Sequence, residues 1–158
     1  MMADLPRARA FQQADLEGCL AVFDSNVPGF FLHEERPIFR DFLCELPGPY
    51  LVLEDREGRI VGCGGYALRA AEGAADLCWG MVLNDCHRQG LGRILTERRI
   101  EAARGDPAIS YIRLETSQHT TAFYERFGFV VESIDKDGYG GGLDRCEMRL
   151  VLAENPER

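Results

Sequence analysis

The chain has 158 residues, of which 46% are hydrophobic and 28% are charged, and this balance excludes an intrinsically disordered chain. The formal net charge of −8 disfavours a nucleic-acid partner, because a protein binds a phosphate backbone through a basic surface. No apolar run approaches the length of a membrane span and the N-terminal segment lacks a signal-peptide core, so we expect a single domain over residues 1–158, located in the cytoplasm with no membrane partner.

Hydrophobic spacing predicts the elements of the N-terminal half. Apolar residues at helical spacing follow Asp15, and Pro28 with Gly29 ends that helix. A second helix ends before Pro47, and its predicted apolar side consists of Ile38, Phe39, Phe42, Leu43 and Leu46. The predicted order is a strand at 7–11, a helix that begins at 15, a helix at 34–46, and strands at 50–54, 59–68 and 74–83.

Glycines delimit the elements of the C-terminal half. A helix is predicted over 90–104, with Leu91, Ile94, Leu95 and Ala102 turned inward. It is followed by a strand at 110–116, a short helix at 120–127 closed by Gly128, and strands at 130–134 and 146–152. A glycine-rich loop is predicted to join the last two strands, and the residues after Ala153 are predicted to fray. The order βααβββαβαββ predicts an α+β fold with a mixed sheet.

The acidic charge has two interpretations, since it suits a cationic amine substrate and also serves solubility alone. The cysteines form no CxxC pair and have no neighbouring pair of histidines, so the sequence predicts neither a metal site nor a disulfide framework. We expect most of the six to be reduced core residues: Cys19, Cys44, Cys63, Cys78, Cys86 and Cys146.

The most informative segment is a glycine loop, His87-Arg88-Gln89-Gly90-Leu91-Gly92, which joins a predicted strand to a predicted helix. A helix N-terminus presents unpaired amides and about half a positive charge, and glycines there let an anion approach the backbone. Arg88 and Arg93 can add charge-assisted bonds, so the loop predicts a pyrophosphate site. The loop lacks the GxxxxGK pattern of a P-loop and the third glycine of a dinucleotide fingerprint. Glycines that serve only helix packing are the alternative.

A second motif follows, in which Phe123-Tyr124 on a short helix precedes Gly128-Phe129 at the entry to a strand. Together the two motifs resemble the GCN5-related N-acetyltransferase (GNAT) superfamily, and the resemblance spans nearly the whole chain in element order. The family loop has Gln or Arg, two further residues, Gly, one residue, and Gly or Ala. This sequence departs from the family at three positions: His87 replaces Gln or Arg, Asn84 stands where proline is frequent, and Ser117 lies where many members carry asparagine.

The resemblance implies a mixed, mostly antiparallel central sheet that is flanked by helices and splayed in the region of the third and fourth strands. It implies an N-acetyltransferase that moves an acetyl group from acetyl-CoA to a primary amine of a small molecule or peptide by direct transfer in a ternary complex. A non-catalytic acyl-CoA sensor is the alternative, and a homodimer is a further expectation. The implied cofactor-binding residues are Val82, Leu83, His87, Arg88, Gln89, Gly90, Leu91, Gly92, Arg93, Ser117 and Tyr124.

Acyl transfer to an amine needs an acid for the departing thiolate and a base for the amine. The resemblance implies Tyr124 as the acid, and a phenol suits this role because its ordinary pKa of about 10 keeps it protonated. Asp76 is the first candidate base, because it precedes Gly90 by fourteen residues, the spacing at which the histone-acetylating branch of the family carries a strand glutamate. Glu115 is the second. The alternatives are a core tyrosine, a solvated strand residue and an outward-facing glutamate.

The acceptor side is expected to involve the first two helices and the last hairpin. Its candidate substrate-binding residues are Phe30, Phe31, Trp79 and Tyr139. An aromatic lining suits a cationic amine through cation–π attraction. Phenylalanines at helical spacing are equally typical of a hydrophobic core, and that interpretation stays open.

Overall fold

The computed structural model describes residues 5–152, and its elements follow the predicted order. The helices and strands occur in the expected order because apolar residues recur at the period of each element and Gly or Pro separates them. The helices are α1 (Leu16–Ser25), α2 (Arg36–Cys44), α3 (Leu91–Arg104) and α4 (Thr121–Glu125). The strands are β1 (Arg7–Ala10), β2 (Tyr50–Glu54), β3 (Ile60–Arg69), β4 (Ala74–Val82), β5 (Tyr111–Thr116), β6 (Val130–Gly140) and β7 (Leu143–Val151). The fraying predicted after Ala153 lies outside the described residues.

The seven strands follow the order β1-β2-β3-β4-β5-β7-β6 in a mixed sheet. Antiparallel pairing joins β1 to β2, β2 to β3, β5 to β7 and β6 to β7. Strands β4 and β5 run parallel, with register from Ala74↔Tyr111 to Asp76↔Arg113. The predicted mixed, mostly antiparallel sheet is confirmed. No helix among residues 5–152 is long and apolar enough to cross a bilayer.

The chain forms two compact units, residues 1–67 with 78–101 and residues 68–77 with 102–158. In the first unit, α1 and α2 bury Phe23, Phe39 and Leu43 completely in the main core cluster. A second cluster in this unit contains Leu53 of β2 and Leu95 of α3. Each fully buried side chain of this size contributes about 1.5–3 kcal/mol to stability. These clusters fix α3 relative to the strands that precede it.

Arg9 of β1 ties the start of α1 to the sheet in the first unit. Its guanidinium donates two hydrogen bonds of 2.8 Å to the carboxylate oxygens of Asp15 and one of 2.5 Å to Glu54. The Asp15 carboxylate also accepts the backbone N–H of Gln12 at 2.8 Å. The bonds from Arg9, assisted by the one from Gln12, hold the pKa of Asp15 below its usual value although burial opposes the shift.

In the second unit, β5 alternates between a buried and a more exposed face. Ile112 and Leu114 are buried, and Arg113 between them points to the other side. The guanidinium of Arg149 on β7 lies 3.8 Å from the ring centroid of Tyr111. A cation–π contact of this kind stabilises the pairing of the two strands by about 0.5–1 kcal/mol at an exposed site.

The glycine-rich segment at 135–145 is a strand hairpin, and the prediction of a loop was wrong. Strand β6 continues to Gly140 and β7 begins at Leu143, so the two strands pair almost to the turn. Gly140, Gly141 and Gly142 all have positive φ, a conformation that glycine adopts without steric cost. The glycines therefore form a tight turn instead of a flexible connection.

Two positions predicted to face inward, Ile38 and Ala102, are exposed. The buried side of α2 passes through Phe39, and the buried side of α3 passes through Ala103. Neighbouring helical residues are rotated by about 100° from one another, so an apolar residue beside the buried stripe faces solvent. The prediction was wrong at both positions because it took every apolar residue near the stripe as part of it.

Candidate functional site

The glycine loop connects β4 to α3, and backbone hydrogen bonds hold both of its ends. The Leu83 N–H donates to the carbonyl of Val61 at 2.8 Å, and a single helical turn follows at Asn84–Cys86. The His87 N–H donates to the backbone carbonyl of Asn84 at 3.2 Å. The next backbone hydrogen bond along the chain runs from the Ile94 N–H to the carbonyl of Gly90, also at 3.2 Å. Between these two bonds lie the amides of residues 88–93. They include the first turn of α3, whose amides have no partner within a helix.

The backbone conformation of the loop is typical of an anion-binding concavity. Arg88 has φ of 68° and Gly90 has φ of 79°, so two left-handed residues flank one that is not. Such alternation orients successive N–H groups toward a common point and makes an anion-binding nest. A Cβ at Gly90 would meet nothing within 4 Å, which means that the space in front of this residue is open. The residues therefore fit a phosphate group.

A surface cavity of about 330 Å³ opens beside the loop. Its lining includes Gln89, Gly90 and Arg93 of the loop and first turn, together with Glu97 and Glu101 of α3. The open space in front of Gly90 thus continues along the exposed side of α3.

His87 anchors the loop to β4. Its Nε2 lies 2.9 Å from the carbonyl oxygen of Val82, and the edge of the Phe30 ring lies against the imidazole with centroids 5.2 Å apart. The side-chain amide of Asn26, a buried residue that the sequence reasoning missed, donates to the same carbonyl at 2.9 Å. The Val82 carbonyl and the Leu83 amide are both engaged within the protein. A ligand that pairs with this segment has to use other main-chain groups of β4.

Tyr124 lies on α4 in the second unit. Its ring contacts Phe123 and Phe129 edge-on, with centroids 5.0 and 5.9 Å apart, and Gly128 ends the helix with φ of 98°. The aromatic neighbours fix the ring, yet no residue within 5–152 forms a hydrogen bond with its hydroxyl. Ser117 lies just before this helix and accepts the His119 N–H at 3.3 Å.

The two candidate bases also belong to the second unit and differ in their surroundings. Asp76 of β4 forms ion pairs with Arg69 at 2.5 Å and with Arg113 at 3.9 Å. Glu115 of β5 is exposed and lies opposite Glu147 in the pairing with β7. Two like charges that face each other across strands repel, whereas Asp76 is stabilised by its arginines. The structure therefore holds Asp76 as an ion-pair partner and leaves Glu115 open to solvent.

The aromatic acceptor candidates are distributed over both units. Phe31 and Trp79 stack in the first unit with centroids 6.0 Å apart, and both pack against the core cluster that contains Phe23. Trp79 has φ of 46° within β4, and its carbonyl accepts the Tyr50 hydroxyl at 2.8 Å. Phe30 is 62% exposed.

The fourth candidate, Tyr139, lies on β6 of the second unit and is 44% exposed. The core interpretation thus applies to Phe31 and Trp79, and exposed rings remain at Phe30 and Tyr139.

None of the six cysteines, which all lie in the described part of the chain, forms a disulfide bond. Cys19, Cys63, Cys86 and Cys146 are buried, Cys78 is half-buried and Cys44 is exposed. In the part of the chain that the structure describes, no group of three His, Cys, Asp or Glu side chains is placed to hold a metal ion.

Comparison with known proteins connects this geometry to a family. The sequence matches the model of the acetyltransferase (GNAT) domain over residues 47–131, which is more than half of the chain. The chain belongs to the GNAT family of acetyltransferases. The GNAT match contains both the loop around Gly90 and the helix that carries Tyr124. No curated protein sequence matches the chain.

Solved GNAT structures have the same fold. A GNAT-family protein from Desulfovibrio desulfuricans is 27% identical, with a TM-score of 0.80 over 93% of this chain and 99% of that one. The ribosomal-protein-S18-alanine N-acetyltransferase of Escherichia coli is 20% identical, with a TM-score of 0.79 and 98% of each chain covered. The yncA acetyltransferase of Salmonella typhimurium, solved with acetyl-CoA, is 19% identical, with a TM-score of 0.74 over 97% of this chain and 96% of that one.

Proposed function

We propose that this protein is an acetyl-CoA-dependent N-acetyltransferase that acts on a primary amine of a small molecule or peptide. The observation that carries the proposal is the pair of left-handed residues, Arg88 and Gly90, at the start of α3. Membership of the GNAT family supports acetyl transfer, and the yncA protein was solved with acetyl-CoA. The whole chain then acts as one acyltransferase domain in the cytoplasm, with a homodimer as its expected assembly.

The glycine loop binds the pyrophosphate of acetyl-CoA. The amides of residues 88–93 donate to phosphate oxygens, and Arg88 and Arg93 are exposed cations beside them. A hydrogen bond to a charged group contributes about 1.5–3 kcal/mol, and the helix dipole adds about 0.3–1 kcal/mol. Several such bonds together are enough for micromolar binding, which corresponds to about 8 kcal/mol.

The protein supplies positioning and two proton transfers, while acetyl-CoA supplies an activated thioester. The amine attacks the thioester carbon directly, the C–S bond breaks, and the thiolate takes a proton from Tyr124. Holding two reactants in attack geometry lowers a barrier by about 7–11 kcal/mol, more than one proton transfer does. The unpaired hydroxyl of Tyr124 supports its role as the acid, because it has no competing partner among the described residues.

Glu115 is the base that we favour, with Asp76 as the alternative. A base has to accept a proton from the amine and release it again. The carboxylate of Asp76 is engaged by Arg69 at 2.5 Å, whereas Glu115 is exposed and has no ion pair with a described residue. The acceptor is a cationic amine, which the acidic net charge and the exposed ring of Phe30 favour.

A non-catalytic acyl-CoA sensor is the second candidate, because it needs the same loop and no acid or base. Release of free thiol from acetyl-CoA, measured with a panel of primary amines, separates the two functions. The transferase releases thiol in proportion to the added amine, and a variant with Gly90 replaced by Val does not. Tight acetyl-CoA binding with no amine-dependent thiol release across the panel would identify the sensor.

A further inference from the structure

An arginine is buried on the inner side of α3. Arg99 is only 3% exposed and lies between Leu95 and Ala103 on the helix face that packs inward. Its guanidinium rests on β4, where a Cβ added at Gly80 would lie 2.7 Å from Nη2 and 2.8 Å from Nη1. A Cβ at Gly64 of β3 would lie 3.4 Å from its Cζ. Glycine at both positions is what leaves room for the charged group.

This buried cation lacks a counter-charge in the part of the chain that the structure describes. The Nε of Arg99 is fully enclosed and has no acceptor, and no described carboxylate forms an ion pair with the guanidinium. Arginine stays protonated in proteins, so the charge cannot be removed by releasing a proton. An uncompensated buried charge is strongly unfavourable, and such groups are ordinarily paired. An anionic group of a bound ligand would compensate the positive charge of Arg99.

The phosphates of the ligand are not that anion. They belong to the first turn of α3, and Arg99 follows Leu91 by eight residues, which is about 12 Å along a helix that rises 1.5 Å per residue. The family resemblance implies that the donor also contacts Val82 and Leu83 at the end of β4, so we place the remainder of the ligand along that strand, away from the phosphates. Gly80, on which the guanidinium rests, precedes Val82 of that strand by two residues. In this placement the guanidinium of Arg99, which rests on Gly80, lies on the acyl side of the phosphates.

We propose that Arg99 binds a carboxylate at the far end of the acyl group, so that the protein accepts acyl-CoA donors derived from dicarboxylic acids. The proposal rests on the proposed function, which places the pyrophosphate of the donor on the glycine loop. A guanidinium binds a carboxylate through two parallel hydrogen bonds, and this geometry selects a planar anion. The transfer itself is unchanged: the amine forms a C–N bond to the thioester carbon, the C–S bond breaks, and the distal carboxylate keeps its charge.

The test compares succinyl-CoA with butyryl-CoA, which has the same chain length but no terminal carboxylate, and with free CoA. Calorimetry on the full-length protein measures the three affinities in the wild type, in Arg99→Met and in Arg99→Lys. We expect the wild type to bind succinyl-CoA at least tenfold more tightly than butyryl-CoA. Arg99→Met loses this preference and Arg99→Lys keeps part of it. Free CoA binds all three proteins equally.

A thermal melt of each variant separates recognition from a purely structural role. Removing an unpaired buried charge with a side chain of similar volume should leave the melting temperature unchanged or raise it. Equal affinity of the wild type for succinyl-CoA and butyryl-CoA overturns the inference, whether or not Arg99→Met folds. So does an undiminished preference in Arg99→Met. Normal CoA binding without a preference leaves the proposed function standing, whereas no CoA binding by the wild type overturns both.

Discussion

The imidazole Nε2 of His87 lies 2.9 Å from the carbonyl oxygen of Val82, so the residue that begins the glycine loop is bound to the end of the strand before it. This position carries Gln or Arg in the family pattern, and the resemblance implies that it contacts the cofactor. In the structure the His87 side chain instead contacts the Val82 carbonyl and so fixes the start of the loop to β4. Anion binding then depends on the backbone that follows, from Arg88 onward.

Replacing Gly90 by Val should weaken CoA binding at least a hundredfold. A β-branched side chain would fill the open space where we place the phosphates, and it also disfavours the φ of 79°. The left-handed strain costs about 1–2 kcal/mol, which lowers the melting temperature by about 2–8 °C without unfolding the chain. Calorimetry with CoA measures the effect on binding.

Gly141 offers a matched control for this strain, since its φ is 64° and a Cβ there also meets nothing within 4 Å. Gly141→Val should lose similar stability and bind CoA normally. Normal CoA affinity in a folded Gly90→Val protein would mean that the loop is not the phosphate site.

Replacing Tyr124 by Phe should lower the maximal rate by about a hundredfold or more, the usual contribution of a general acid. The ring contacts with Phe123 and Phe129 need no hydroxyl, so stability and CoA affinity should stay the same. Steady-state kinetics with a saturating amine measure the rate. Tyr111→Phe removes a phenol on β5 as a control and should keep the wild-type rate. Equal rates for Tyr124→Phe and the wild type would exclude Tyr124 from the chemistry.

The two candidate bases predict opposite outcomes for two conservative variants. Glu115→Gln should lower kcat/KM at neutral pH by about a hundredfold and leave stability unchanged, because the side chain is exposed. Asp76→Asn should instead lower the free energy of unfolding by about 1.5–3 kcal/mol, since Arg69 loses its charged acceptor. Steady-state kinetics measure kcat/KM and thermal melts measure stability for both variants, and together they show which carboxylate is the base. Lost turnover in a fully stable Asp76→Asn protein, with Glu115→Gln active, would reverse the assignment.

The contact between Arg9 and Asp15 predicts how the free energy of unfolding depends on pH. The folded state holds the pKa of Asp15 below its usual value, so the unfolded state binds a proton at higher pH than the folded state does. The contribution of Asp15 to the free energy of unfolding is complete above the pKa of about 3.9 that an aspartate has in the unfolded chain. It disappears as the pH falls through the lower pKa of Asp15 in the folded state.

Asp15→Asn should therefore lower the free energy of unfolding by about 1.5–3 kcal/mol at pH 7. The difference from the wild type should shrink as the pH falls below about 4. Urea titrations at several pH values measure both quantities, and a difference that does not change with pH would contradict the account.

Element order and most element bounds could be predicted because they depend on local patterns. Gly and Pro separate runs whose apolar residues have clear periods, and β2 matches its predicted range of 50–54. The hairpin after Val130 was mispredicted for the opposite reason. Its strands are held by pairing with one another, and three consecutive glycines with positive φ concealed that pairing behind a loop-like composition.

The sequence predicts candidate site residues only where a local motif is typical of a particular chemistry. The loop at Gly90 and the helix of Tyr124 are such motifs. Arg69 and Arg113 reach Asp76 from other parts of the chain, so nothing in its local sequence reveals its ion pairs. Arg99 carried a signal that could have been used, because its four-residue spacing from Leu95 places a charged residue on the apolar face of a helix.

The most direct measurement is an NMR titration of the folded protein with CoA, followed at the backbone amides. The amides of residues 88–93 should show the largest shifts, saturate with the same affinity as calorimetry reports, and lose the response in Gly90→Val. Saturating CoA that leaves these amides unmoved, or shifts a different set of residues, would contradict the claim that the backbone at the start of α3 holds the donor.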